Sequence, residues 1–362
     1  MTCKFESFRF TASNYWSSSE YNSTNSFNQN FNNGNQNGNN NKNNNNNVRA
    51  VRRLINMDIS IEELHSAYLD CRINKRRKIN SIRFELNLEE NLYDLYDDLI
   101  NDNYEIGRFI YFILTKPKYR EVWASDFRDR IIHHLIYNRM LPYYLPRFIH
   151  DSYACIPGRG TDASVSRLNK FILSESQNYQ YKTYVLKMDL QNFFININKD
   201  ILWELIKDKQ VISNILPLVK QVVYHSPINN YIFNGNSKLK KFVPEHKRLF
   251  NAKYNCGLPI GNLTSQFFAN VYLNELDQYC KRVLKIKKYI RYVDDVVIVS
   301  RDIDFLKYVS YKMQEFVNLN LDLNFHPNKI QYIETSNGVD FVGKVLFPYH
   351  TKLRNNTINN LH

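Results

Sequence analysis

Hydrophobic positions along this chain fall into two regimes. From Met57 onward, apolar residues recur at helical or strand spacing, and before it they do not. Ser60 and Glu63 have capping-box spacing ahead of an amphipathic stretch at 61–74. Leu88, Leu92, Leu95 and Leu99 share one face, which predicts a helix over 88–100. A strand is expected at 108–114, and a helix capped by Asp126 reaching about residue 141. Then come a helix at 162–173 and a short apolar strand at 184–188 that ends at Asp189. Helices follow at 199–207 and 211–224, a basic irregular stretch at 238–254, a turn at 257–261 and a helix at 262–282. Two apolar runs, 289–293 and 296–300, flank a pair of aspartates as the strands of a hairpin would. A helix at 303–318 and a strand at 339–346 complete the pattern. Helices mixed with strands, including a hairpin, predict an α+β layer rather than a doubly wound sheet.

Composition explains the silent first regime. Asn fills 17 of the 34 positions from 14 to 47. Asn competes for backbone hydrogen bonds, and such a stretch has too little apolar surface to fold alone, so residues 1–56 are expected to be disordered. The 362 residues carry a formal net charge of +13. Residues 1–56 account for +4 of it and the remainder for +9, so the body itself is basic and suits a polyanionic partner. The five cysteines, Cys3, Cys71, Cys155, Cys256 and Cys280, form no CxxC pair. Their odd number argues against a zinc site or a disulfide framework and fits a reducing cytoplasm. No apolar run is long enough to span a bilayer, and no membrane partner is expected.

Candidate chemistry gathers at two places. Tyr292-Val293-Asp294-Asp295 sits between the paired apolar runs, where adjacent carboxylates are costly unless bound to a counter-charge. Successive strand residues face opposite sides, so only one of the two is expected to point into the site; Asp294 is taken as that group, with Asp295 in support. Asp189 ends a separate strand ahead of Leu190-Gln191-Asn192-Phe193-Phe194. Carboxylates from two strands can hold hard divalent cations through oxygen. His133-His134 reads as a structural pair on a helix.

These residues, with others in the same order, resemble the reverse transcriptase family. Residues 187–194 resemble its motif A, 292–295 its YxDD box (motif C) and 257–266 (GLPIGNLTSQ) its motif B. The stretches 116–130 (KPKYREVWASDFRDR) and 152–161 (SYACIPGRGT) resemble its fingers motifs, 321–329 motif D, and 338–343 (GVDFVG) motif E. The resemblance implies a right-hand polymerase with fingers and a ferredoxin-like palm, copying RNA into DNA. Its domains would be N-terminal helices and fingers at 57–180, palm at 181–346 and the start of a thumb at 347–362, the thumb being largely missing. It implies two Mg²⁺ ions, with Mn²⁺ as the alternative, held by Asp189, Leu190, Asp294 and Asp295. Lys329 would be the general acid toward pyrophosphate, and Phe194 the sugar gate. Lys118, Arg120 and Arg159 would face nucleotide or template phosphates, and Ile260, Gly261 and Gln266 the base pair being formed.

Motif B narrows the subtype. Ile260 stands where most of the family has Gln, and Gln266 where it has Pro. That form resembles the enzymes of diversity-generating retroelements, which copy a template RNA with errors at adenines to diversify a target gene. The resemblance implies template RNA, primer, cDNA and dNTPs as partners, and an accessory variability protein. Residues 15–23 (YWSSSEYNS), the Asn tract and residues 48–52 (VRAVR) resemble the end of a C-type-lectin-like variable region. Residues 8–53 are therefore expected to be a translated template repeat, with Met57 as the natural start. The alternatives are a group II intron-like or defence-associated reverse transcriptase, or a catalytically impaired RNA-binding remnant.

Overall fold

In the computed structural model the chain divides into two units, Met1–Ile55 and Asn56–His362. The structure describes three strands of the first unit and residues 58–355 of the second. In the first, β1 (Asn14–Glu20), β2 (Asn25–Asn30) and β3 (Gln36–Asn41) form an antiparallel sheet in that order. Composition predicts disorder over residues 1–56, and within them the structure describes these three strands. Antiparallel strands satisfy one another's N–H and C=O groups whatever side chains they carry. Residues 48–52 lie outside the described residues.

The second unit opens on α1 (Ile61–Arg72), with the expected capping box: Glu63 N donates to Ser60 Oγ at 3.2 Å and Ser60 N to Glu63 Oε2 at 3.1 Å. Next come α2 (Ile79–Glu85) and α3 (Leu88–Ile100), the latter burying Leu92, Leu95 and Leu99. Helix α2 escapes the sequence pattern because it buries only Ser81 and so shows no apolar stripe. β4 (Phe109–Leu114) and β5 (Arg120–Ala124) form an antiparallel hairpin, followed by α4 (Phe127–Tyr144) and α5 (Thr161–Ser176). Then come β6 (Tyr184–Asp189), α6 (Phe193–Asn196), α7 (Lys199–Ile206) and α8 (Leu216–Tyr224). β7 (Tyr231–Phe233) joins β4 in parallel, completing a sheet of order β5-β4-β7.

The third stretch contains α9 (Leu263–Gln278), β8 (Tyr289–Tyr292), β9 (Asp295–Ser300), α10 (Ile303–Leu321) and β10 (Gln331–Glu334). It ends with β11 (Val339–Phe341), β12 (Lys344–Leu346) and β13 (Thr351–Leu353). The continuous strand expected at 339–346 is instead the β11–β12 hairpin. Val342 and Gly343, at φ +47° and +83°, reverse the chain between its arms. The 211–224 helix begins only at Leu216, next to Pro217, after a 3₁₀ turn. Of the stretch expected to begin a thumb, Thr351–Leu353 pairs with β12, and residues 356–362 lie outside the described residues.

The central sheet has the order β10-β6-β9-β8, antiparallel throughout. Its alternating residues enter two cores. Leu186, Met188, Val296 and Ile298 pack with residues of α4, α9 and α10. Val185, Val297 and Val299 pack with Val165, Leu168, Phe171 and Ile172 of α5 and with Val339, Phe341 and Leu346. Burial on both faces explains why β9 reads as an unbroken apolar run. Among the described residues, no helix is long and apolar enough to cross a membrane.

Candidate active site

The end of β6 and the β8–β9 turn meet through strand register. Asp189 is the Cα partner of Asp295, which is also the partner of Tyr292. The turn is strained: Val293, a β-branched residue, has φ +54°. A buried network holds it. Arg291, fully buried, donates from Nη1 to Val293 O at 2.9 Å and to Asn270 Oδ1 at 3.1 Å. Its Nε and Nη2 reach the Asp277 carboxylate at 2.8 and 2.7 Å, and Tyr289 donates its hydroxyl to the same group at 2.7 Å. Asn270 then donates to Ala154 O at 2.8 Å, linking the turn to the chain beside Cys155. Sequence reasoning passed over Arg291, Asp277 and Asn270. The available signal was a lone arginine inside an otherwise apolar strand.

Three carboxylates thus lie close enough to feel one another's charge. Burial, then the negative charges of Asp295 and Asp189, push Asp294 up to about 7, with Lys329 opposing. Asp295 is raised by burial and drawn back first by Lys187, whose ammonium donates to Asp340 O at 3.0 Å. Lys329 Nζ lies 2.6 Å from Asp189 Oδ1, so the ammonium occupies the place of a counter-cation. Among the described residues, no group of three or more His, Cys, Asp or Glu side chains is gathered as a metal cage. The donor chemistry, carboxylate oxygen from two strands with a cation already drawn in, fits a hard divalent ion. Leu190 is buried beside Asp189 and bridges to Phe325.

Motif B clasps this centre to the β4–β5 hairpin. Leu258 N donates to Phe194 O at 2.8 Å, and Gly257 N to Ile197 O at 2.9 Å. Phe194 is half-buried against Phe193. Trp123 N donates to Ile260 O at 2.7 Å. Gly261 has φ +134°, and a Cβ there would stand 2.8 Å from Trp123 O. Beyond it, Gln266 Oε1 accepts from the Cys155 thiol at 3.4 Å. His133 locks the same junction: its Nδ1 lies 2.7 Å from Thr264 Oγ1 and its Nε2 2.8 Å from Ser125 Oγ. Ser125 Oγ donates to Asn262 Oδ1, so the hydrogen shared with His133 comes from Nε2. Burial pushes the ring's pKa down to about 3, and in the neutral ring Nδ1 accepts from the Thr264 hydroxyl.

The expected phosphate ligands separate into two groups. Lys118 and Arg120 are exposed on the β4–β5 hairpin. Their positive charges reach Lys247, whose ammonium is depressed first by partial burial, then by Lys329, Lys118 and Arg120. Lys247 was not singled out in the sequence, because it lies in the irregular basic stretch. Arg159 is not with them. Its Nη1 is committed to Ile149 O at 2.7 Å and Ser152 O at 2.9 Å, and it borders a cavity of about 300 Å³ with Arg167 and Lys170.

An α+β unit whose antiparallel sheet carries carboxylates on a strand end and the adjacent hairpin turn, beside a basic β-hairpin, is the palm and fingers of a right-hand polymerase. The family described as reverse transcriptase (RNA-dependent DNA polymerase) matches residues 114–346, more than half of the chain. The chain belongs to that family. Its structure is similar to telomerase from Candida albicans solved with a fragment of telomeric RNA (TM-score 0.46, 11% identity, 69% of this chain and 46% of that one). It is also similar to an apo telomerase from Candida tropicalis lacking its C-terminal domain (TM-score 0.48, 13% identity, 69% and 55%). The chain thus spans about half the length of these telomerase chains. No curated protein sequence matches it.

Proposed function

We propose that the protein is the RNA-directed DNA polymerase of a diversity-generating retroelement, copying a template RNA into adenine-mutagenised cDNA. The observation that carries the polymerase reading is the register of Asp189 on Asp295 next to the strained turn that presents Asp294. Asp189 and Asp294, with Asp295 and Leu190 beside them, would hold two Mg²⁺ ions. When bound, these would lower the pKa of the primer hydroxyl and neutralise charge on the departing pyrophosphate. The protein's own part is positioning. The buried Arg291 network fixes the turn, and Phe194 would face the sugar of the incoming dNTP. Lys329, already on Asp189, would supply a proton to the leaving group.

The retroelement reading rests on motif B. Ile260 offers an apolar side chain where an amide could hydrogen-bond, so a mispair loses less relative to a correct pair. Residues 8–53 would then be a translated template repeat, and the accessory variability protein a partner alongside template RNA, primer and cDNA. Sequencing the DNA made by the full chain on an RNA template tests this. Errors concentrated opposite template adenines are expected, and Ile260→Gln should reduce them several-fold. Faithful copying by the unaltered chain would instead favour an intron-like or defence-associated enzyme.

A further inference from the structure

Residues 225–256, between α8 and motif B, carry none of the family motifs, yet they are pinned to the β4–β5 hairpin at three places. β7 lies along β4, with Asn234 N donating to Tyr111 O at 2.8 Å. Buried Glu121 accepts from Leu249 N at 2.8 Å, while also holding the Tyr111 hydroxyl at 2.8 Å. Phe242 stacks on Tyr119 with ring centroids 5.0 Å apart. Within this stretch Lys247 N donates to Pro244 O at 2.9 Å, and Arg248 closes the turn onto Val243 O and Lys240 O, both at 2.9 Å. Glu121 directly follows Arg120, so anchoring Leu249 on Glu121 sets Lys247 beside Arg120 and Lys118. None of these three cations has an ion-pair partner among the described residues, whereas neighbouring Lys329 is paired with Asp189. Three unpaired cations held by a rigid frame repel one another and are stabilised by a polyanion.

We propose that Lys247 is a further substrate-binding residue, completing with Lys118 and Arg120 a site for the triphosphate of the incoming nucleotide. Template phosphate is the competing ligand. The nucleotide is favoured because the cluster stands next to Lys329 and Asp189, where the bond to the α-phosphate would be made and pyrophosphate released. A lysine serves there as a point charge on a flexible stem, following the phosphates as they depart. The inference rests on the polymerase reading above.

The test compares the full chain with Lys247→Ala and Lys247→Arg in two assays: steady-state RNA-templated extension, and calorimetric binding of inorganic tripolyphosphate. Lys247→Ala should raise the KM for dNTP about tenfold with kcat changed less than twofold, and weaken tripolyphosphate similarly. Lys247→Arg should recover most of both. An unchanged KM and unchanged tripolyphosphate affinity in Lys247→Ala would overturn the proposal. So would weakened template binding with the KM for dNTP intact, which would reassign Lys247 to the template. If the unaltered chain makes no DNA yet binds tripolyphosphate in a Lys247-dependent way, the anion site stands and the polymerase reading fails.

Discussion

Val293 sits at φ +54°, a conformation that costs a β-branched residue on the order of 1–3 kcal/mol. The cost is met by Arg291, which holds the Val293 carbonyl while its charge is neutralised by Asp277 in full burial. Removing one member of such a pair strands the other charge. Arg291→Met should therefore lower unfolding stability by about 3–5 kcal/mol, read as a shift in the urea midpoint. Asp294 makes the opposite prediction. It is a carboxylate crowded by two others and raised to about 7. Asp294→Asn should abolish DNA synthesis while raising Tm, because it relieves like-charge repulsion. A lowered Tm would show that the carboxylate cluster is not under strain. The aspartates were legible in the sequence because each interrupts an apolar run. Arg291 and Asp277 were not, since their pairing spans a helix and a strand and leaves no spacing signature.

Elements with a strong apolar period were read correctly from sequence, as α3 and the β8–β9 hairpin show. Elements whose existence depends on neighbours were not. β7 is three residues long and is a strand only because β4 offers it an edge. The β11–β12 hairpin hid inside an apolar run because Val342, an unusual residue for positive φ, takes part in the reversal. The motif B turn is the element on which the site most depends, since it touches Phe194 on one side and Trp123 on the other. Gly261→Ala combines a forbidden φ with a 2.8 Å approach to Trp123 O. It should cost about 1–3 kcal/mol and move the turn off β5, seen as lost stability together with reduced extension. A Gly261→Ala protein with unaltered stability and activity would mean that the turn does not need this approach.

At the scale of the molecule, α4, the end of β5 and the start of α9 are tied through one neutral ring. His133 is held down at about 3, while His134 and His225 lie at about 4, burial being the first cause in each case. An unfolded histidine titrates near ~6.5, so between that pH and the folded values the unfolded chain binds protons that the folded chain refuses. Their stabilising contribution is complete above about 6.5 and is lost as pH falls toward about 3 to 4. The three histidines should pull urea midpoints down across that window, against the opposite pull of Asp294, and His133→Gln should remove one share of the fall. An unchanged slope in His133→Gln would contradict the buried neutral assignment. Basic charge and ordered motifs made the polymerase class legible. The docking of residues 225–256 onto the fingers was not, because its anchors, the β7 edge, the Glu121–Leu249 bond and the Phe242–Tyr119 stack, join residues far apart in the sequence. The central claim is that this fold makes DNA on RNA through Asp189 and Asp294. Primer extension by the full chain on an RNA template with Mg²⁺ and dNTPs tests it most directly. Product from the unaltered chain, lost in Asp294→Ala with RNA binding retained, is the predicted result. Equal product from both proteins, or none from either, would contradict it.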